Sequence, residues 1–188
     1  MREESLAFLK ALSEAPSPSG YEQPAQKVFR EYIQDYVDEV RTDVLGNTHG
    51  LIKGRGEGKL TVMLAGHCDE VGFMAQFIDD HGFLYFSSIG GVDEQLLPGK
   101  RVWVHTQKGP IVGVVGRKPI HLIDPKDREK VTKIHDQFID IGAKDKKEAH
   151  CIKKPGPWYF VECMVRITTS IPGYCRKGLR KEHEQSNT

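Results

Sequence analysis

The sequence lacks long hydrophobic runs and has no excess of charge of either sign. No uncharged apolar stretch approaches the ~20 residues that a membrane-spanning helix needs. The 27 lysine and arginine residues nearly balance 26 aspartate and glutamate residues, so the formal net charge is +1. A neutral chain offers no extended field for nucleic acid or for anionic lipid. We therefore predict neither a nucleic-acid partner nor a membrane partner.

Cysteine is also scarce, and the four cysteines include no C-x-x-C spacing. This disfavours a structural zinc ribbon. The chain opens on the charged sequence Met-Arg-Glu-Glu, which does not resemble a secretory signal. Both observations favour a cytoplasmic location, where disulfides are rare. The 188 residues, 38% hydrophobic and 28% charged with 19 glycines, are typical of a folded chain rich in turns.

Apolar spacing predicts two helices in the first forty residues, followed by strands. Stripes within Leu6–Leu12 and Ala25–Val37 repeat every three or four residues, and the proline-rich segment Pro16–Gly20 separates them. Three strands are expected next, at Val40–Asp43, Gly50–Lys53 and Lys59–Leu64. The run Leu60–Ala65 is almost entirely apolar, which is typical of a strand buried on both faces in an α/β sheet.

Beyond Asp69, short segments bounded by glycine predict a small antiparallel β-barrel or sandwich. The expected strands are Gly72–Ile78, Phe83–Ile89, Arg101–Thr106, Gly109–Gly116 and Phe138–Ile141. A polar helix is predicted at Pro125–Gln137, and a short lysine-rich helix at Lys144–His150. The predicted fold class is therefore α/β, with an antiparallel β unit after the α/β segment.

The candidate chemistry lies at His67 and Asp69, directly after the apolar run. In an extended chain, side chains at i and i+2 point the same way, so the Asp69 carboxylate can approach the His67 imidazole. A carboxylate bonded to one ring nitrogen leaves the other nitrogen free to ligate a metal ion. By itself, an H-x-D pattern is short enough to arise by chance beside an acidic turn.

Longer motifs resemble the TET-type metallo-aminopeptidases, the group of glutamyl and deblocking aminopeptidases that includes proteins called cellulase M. The resemblance covers about residues 5 to 150. Its blocks are Ser17–Glu22, Asp43–Asn47, Ala65–Met74, Gly82–Leu84, Ile89–Gly91, Gly116–His121 and Ile139–Ala143.

This resemblance implies a peptidase domain of helices around a central sheet, interrupted by an inserted β-barrel domain. Residues 1–69 are then part of the peptidase domain and 70–165 the inserted barrel. Residues 166–188, where the resemblance ends, have few apolar residues and no period, and are expected to be an aberrant, disordered tail. The family's site holds two divalent metal ions, zinc or cobalt, and hydrolyses peptides from the amino terminus. On the matched motif, His67 takes a metal-ligand position and Asp69 the position that orients it. The resemblance also implies a homo-oligomer, a dodecamer in the family.

The chain departs from the family pattern in its last residues. The family's other ligands, which include an aspartate in a G-K-A-x-D stretch and a glutamate pair, are not recognisable in this sequence. A catalytic zinc uses three protein ligands and a water, so the chain as written is expected to be truncated, inactive and unable to hold metal stably. Our hypothesis is a frameshift or sequencing error near residues 165–174; the alternative is a short protein with a disordered tail.

Two other functions compete with the aminopeptidase. The first is a non-catalytic self-association module in which the β-barrel survives. The second is an endoglucanase, suggested only by the name cellulase M. Glycoside hydrolysis needs two carboxylates about 5–10 Å apart, and the sequence singles out no such pair. We therefore rank the endoglucanase last.

Overall fold

The computed structural model describes residues 2–56, 58, 60–106, 108–152 and 159–163. The tail predicted at 166–188 lies outside them. The helices are α1 (Glu3–Glu14), α2 (Gln23–Ile33) and α3 (Lys146–Ile152). The strands are β1 (Glu39–Thr42), β2 (Thr48–Leu51), β3 (Gly72–Ile78), β4 (Leu84–Ile89), β5 (Arg101–Thr106), β6 (Gly109–Arg117), β7 (Gln137–Asp140) and β8 (Tyr159–Cys163). None of the described helices is long and apolar enough to cross a membrane.

The two predicted amino-terminal helices are confirmed, and they contact each other through aromatic side chains. The ring of Phe8 on α1 stacks on that of Tyr32 on α2, with 3.8 Å between the centroids. Pro24 lies in the first turn of α2, where the helix offers no partner for a backbone N–H and the missing N–H of proline costs no hydrogen bond. Ala25 on the next position is fully buried. The proline-rich break thus turns the chain back so that α2 packs on α1.

Strands β1 and β2 form a two-stranded antiparallel hairpin whose turn is organised by Asp43. Glu39 pairs with Leu51, and Thr42 pairs with Thr48. The Asp43 carboxylate accepts the backbone N–H groups of Leu45 and Asn47, each at 2.9 Å, and the Asn47 side-chain amide at 2.8 Å. This confirms the first two strands predicted after the helices.

The remaining six strands form an antiparallel sheet that curls into a closed ring, in the order β3-β4-β7-β6-β5-β8. Strand β8 pairs with both β3 and β5 and so closes the ring. Alternate residues of the strands point inward. The buried side chains of this interior include Phe73, Leu84, Phe86, Val102, Val104, Val115 and Ile139. All five strands predicted between Gly72 and Ile141 are present, and the lysine-rich helix appears as α3.

Glycine is required on β6, where the strand passes close to β7. A Cβ added at Gly113 would lie 2.4 Å from Cγ2 of Ile139. A Cβ added at Gly116 would lie 2.6 Å from the ring of Phe138. These distances are far below van der Waals contact, so both positions depend on having no side chain.

The strand predicted at Lys59–Leu64 is wrong over its described residues. From Leu60 to Ala65 the chain has no regular structure. The side chains of Leu60, Val62, Met63 and Leu64 are between 74% and 95% exposed. A strand satisfies its backbone N–H and C=O groups only beside another strand. No described strand pairs with this run, so its apolar composition alone does not make it a strand.

The helix predicted at Pro125–Gln137 is also wrong. The segment forms two short 3₁₀ turns, Pro125–Asp127 and Ile134–Asp136, and Gln137 already belongs to β7. The Asp124 side chain accepts the N–H of Lys126 at 3.3 Å and starts the first turn. Most helical stability comes from packing an apolar face. This polar segment has no such face, so isolated turns replace the helix.

Candidate metal-ligand site at His67 and Asp69

His67 and Asp69 contact each other, as their spacing predicts. Nδ1 of His67 lies 2.9 Å from Oδ1 of Asp69 and 3.2 Å from the Asp69 backbone oxygen. A carboxylate can only accept, so the ring nitrogen facing it carries the proton in the neutral imidazole. The His67 side chain is 86% exposed. This arrangement leaves Nε2 as the ring nitrogen available to a ligand.

A serine from the amino-terminal segment holds the second oxygen of Asp69. The Ser19 hydroxyl donates to Oδ2 of Asp69 at 2.6 Å. The hydrogen bond from Ser19, and next that from His67, lowers the pKa of Asp69 below its ordinary value. Hydrogen bonds to the charged form of a carboxyl group favour that form. Asp69 is therefore a carboxylate at neutral pH.

The segment that carries Ser19 lies directly alongside Glu70. Pro18 and Glu70 form a parallel bridge. The Glu70 N–H donates to the oxygen of Ser17 at 2.9 Å, and the Ser19 N–H donates to the oxygen of Glu70 at 3.3 Å. The Glu70 carboxylate accepts the N–H of Ser17 at 3.2 Å. The proline-rich break between the helices is therefore one wall of the site.

Cys68 takes no part in the contact between its two neighbours. Its sulfur accepts a hydrogen bond from the Gln26 side chain on α2 at 3.3 Å. Burial, followed by the charges of Glu22 and Asp69, raises the pKa of the Cys68 thiol. A protonated thiol is a poor metal ligand. Cys68 is therefore a poorer candidate ligand than His67.

Residues 46–170 match the model of the M42 glutamyl aminopeptidase family. The chain belongs to the M42 glutamyl aminopeptidase family. This confirms the resemblance seen in the sequence motifs. A lysyl aminopeptidase of Pyrococcus furiosus is 35% identical to this M42 chain over 144 residues, which are 76% of the chain and 41% of the relative. The chain spans about two fifths of the length of the curated relatives it matches.

Solved structures of TET peptidases resemble the M42 chain. A TET aminopeptidase from a marine sediment archaeon of the Thaumarchaeota is 37% identical, with a TM-score of 0.80; the match covers 86% of this chain and 44% of that one. The TET1 peptidase of Pyrococcus horikoshii, which can assemble into a tetrahedron or a large octahedral shell, is 34% identical with a TM-score of 0.71. That match covers 85% of this chain and 46% of the other.

The described part of this M42 chain fits one metal-ligand position. His67 offers a nitrogen ligand whose orientation Asp69 fixes. No group of three His, Cys, Asp or Glu side chains within the described ranges could hold a metal ion. A catalytic zinc takes three protein ligands. These residues therefore fit a single ligand with its orienting carboxylate, and they do not fit a complete two-metal centre.

Sequence reasoning missed Ser19 and Glu70 as parts of the site. Both lie in motifs that resemble the family. No pattern among neighbouring residues in the sequence, however, predicts the hydroxyl contact of Ser19 or the backbone bridge of Glu70. Ser19 and Asp69 are 50 positions apart. The one available signal is a serine held between proline and glycine, which marks a fixed turn without indicating its partner.

Proposed function

We propose that this M42 chain carries part of the site of a metal-dependent aminopeptidase. In this proposal His67 is a ligand to one of two divalent metal ions, zinc or cobalt, and Asp69 orients it. The observation that carries the proposal is the 2.9 Å contact between His67 Nδ1 and Asp69 Oδ1, which leaves Nε2 for the metal. Family membership supports the reaction class, the removal of residues from the amino terminus of a peptide substrate.

The protein's own contribution at this position is orientation. A bound divalent ion supplies activation of a water molecule, whose pKa it lowers. Asp69 selects the imidazole tautomer, and the hydrogen bonds from Ser19 and His67 favour its ionised form. The hydroxyl of Ser19 and the bridge between Pro18 and Glu70 hold Asp69 in place.

The proposal extends to the organisation of the chain. We assign residues 1–69 to a peptidase domain and 70–165 to a barrel domain inserted into it, in a cytoplasmic protein that forms homo-oligomers. The closed order of strands β3 to β8 supports the barrel. The tetrahedral assembly of the Pyrococcus horikoshii peptidase supports self-association, up to a dodecamer.

The second candidate function is a non-catalytic self-association module. The observation that favours it is that the six-stranded ring has its own buried interior, whereas the described residues around His67 supply one metal ligand. An endoglucanase has weaker support. Both carboxylates at this site, Asp69 and Glu70, are already engaged by Ser19, His67 and Ser17.

Two preparations separate these functions. The first is the 188-residue chain alone. The second is a fusion of residues 1–165 to the complementary carboxyl-terminal segment of the Pyrococcus furiosus lysyl aminopeptidase. Hydrolysis of amino-acid p-nitroanilides is measured with zinc or cobalt added, and the mass in solution is measured by light scattering. We expect the chain alone to be inactive, because it provides too few ligands, and the fusion to be active.

In the active fusion, His67→Ala is expected to lower the rate by at least about 100-fold, because a metal ligand is lost. His81→Ala is the matched control, since His81 is an exposed histidine in the turn after β3, and its activity should be unchanged. A fusion that keeps full activity after His67→Ala would refute the ligand assignment. An inactive fusion that still associates into oligomers would favour the self-association module.

A further inference from the structure

We propose that Ser19 is a positioning residue for His67 that acts through Asp69. The proposal deepens the proposed function and rests on it for the role of His67. The three side chains form one chain of hydrogen bonds, with 2.6 Å from Ser19 Oγ to Asp69 Oδ2 and 2.9 Å from Asp69 Oδ1 to His67 Nδ1. Each carboxylate oxygen has its own partner, so the plane of the carboxylate is fixed from both ends.

Ser19 is itself held firmly enough to act as the fixed end. Its N–H is bonded to the oxygen of Glu70, and Pro18 beside it is fully buried. Gly20, with a φ of +91°, then turns the chain so that the N–H of Tyr21 bonds back to the oxygen of Pro18 at 2.7 Å. The hydroxyl therefore comes from a rigid backbone, which is what a supporting contact to a functional side chain requires.

His67 depends on this support because it has little of its own. Its side chain is 86% exposed, and its ring nitrogen Nδ1 contacts the side chain and backbone of Asp69. The Asp69 side chain is 38% exposed. Without Ser19 its carboxylate is free to rotate, and the imidazole keeps only the longer 3.2 Å contact with the Asp69 backbone oxygen. Removing such an outer partner of a metal ligand typically weakens metal binding by about 10- to 100-fold.

The test measures the tautomer of His67 and requires neither metal nor substrate. The full 188-residue chain is labelled with ¹⁵N, and long-range proton–nitrogen spectra are recorded at a pH where imidazoles are neutral. In the wild type we expect the His67 proton on Nδ1. In Ser19→Ala we expect a shift toward the Nε2 tautomer, because Asp69 is no longer held. Ser19→Thr keeps the hydroxyl and should restore the wild-type spectrum.

Ser17→Ala is the matched control, because it removes a hydroxyl from the same segment while Ser17 contacts Glu70 through its backbone. Its His67 signals should match the wild type. Ser19→Cys introduces a side chain of similar size that is a weak hydrogen-bond donor, so it should shift the His67 tautomer partly toward Nε2. This variant replaces Ser19→Ala in the test if the alanine variant does not fold. The proposal would be overturned if folded Ser19→Ala or Ser19→Cys gave the wild-type His67 signals. It would also be overturned if Ser19→Thr gave the same His67 signals as Ser19→Ala.

The outcome is separate from that of the aminopeptidase proposal. If His67→Ala leaves the fusion active but Ser19→Ala still shifts the tautomer, the coupling from Ser19 to His67 stands and the metal role of His67 fails. If the fusion requires His67 for activity but the His67 tautomer is unchanged in Ser19→Ala, the positioning role of Ser19 is wrong and the metal role of His67 stands.

Discussion

Two segments of this chain lie in opposite environments, although the exposed one is the more apolar of the two. Leu60–Leu64 is exposed and has no regular structure, with Leu64 at 95% exposure. Arg101–Thr106, which forms β5, buries Val102 and Val104 completely. The difference between them is pairing, since β5 has β6 on one side and β8 on the other. Partner strands therefore decide whether an apolar run in this chain is structured.

The largest contrast should appear in amide hydrogen exchange. Paired amides in the ring open only with global or near-global unfolding, whereas unpaired exposed amides exchange freely. Because domains are stable by about 5–15 kcal/mol, we expect protection in β3, β5 and β6 to exceed that of Leu60–Ala65 by at least roughly a thousandfold. Slow exchange throughout Leu60–Ala65 would show that this run is paired in solution and would remove the contrast.

The same substitution placed in the two regions should have unequal costs. Leu84 is fully buried in the ring, and Leu64 is 95% exposed. We expect Leu84→Ala to lower the free energy of unfolding by about 2–5 kcal/mol, because it leaves a cavity. Leu64→Ala should change it by less than about 0.5 kcal/mol. Urea denaturation followed by circular dichroism measures both, and equal losses for the two variants would contradict the contrast.

A single methyl group tests how tightly the ring is packed. Gly113→Ala places a Cβ 2.4 Å from Ile139 Cγ2, so the strands must shift. We expect a loss of about 1–3 kcal/mol in unfolding free energy. Gly54→Ala is the control, because a Cβ there has no atom within 4 Å. If the two variants have the same midpoint in urea, the close approach of β6 and β7 does not exist in solution.

The smallest effect concerns the hairpin β1–β2, where each strand has one partner. Bonds from the Asn47 side chain, and from the N–H groups of Asn47 and Leu45, lower the pKa of Asp43. Its folded value lies below the unfolded value of about 3.9, so its stabilising contribution is complete above that pH and is lost as the pH falls through the folded value. Acidification should therefore increase amide exchange at Leu45 and Asn47 more than at the paired amides of the ring.

Asp43→Asn provides the comparison for this acid effect. The variant has no carboxyl group to protonate at this position, so exchange at Leu45 and Asn47 should no longer change over the same pH range once the intrinsic pH dependence of exchange is subtracted. An identical acid response in the variant would assign the effect to another group.

The elements that local patterns define could be predicted from the sequence. Helical periodicity located α1 and α2, and glycine-bounded alternation located five of the six strands of the ring, β3 to β7, to within about two residues. The two wrong elements, at Lys59–Leu64 and Pro125–Gln137, depended on partners that composition does not reveal. One needed a neighbouring strand, and the other needed an apolar face to pack.

The same division holds at the candidate site. The contact between His67 and Asp69 follows from their i, i+2 spacing in extended chain, and the structure contains it. The hydroxyl of Ser19 comes from 50 positions away, and only the bridge between Pro18 and Glu70 brings it to Asp69. No pattern among neighbouring residues predicts such a bridge, so the contact between Ser19 and Asp69 could be found only in the structure.

The pairing of β8 with β3 has a consequence for how such a protein can evolve. Phe73 lies opposite Val161, so the backbone leaves the ring about one strand spacing, ~4.8 Å, from where it arrived. The points where the chain enters and leaves the ring are therefore as close as the two strands of a hairpin, whatever number of residues lies between them. Adjacent termini are what make insertion and excision of whole units tolerable. The first and last strands of the ring therefore lie side by side, which is the arrangement that lets a structural unit be inserted into a longer chain with little disturbance.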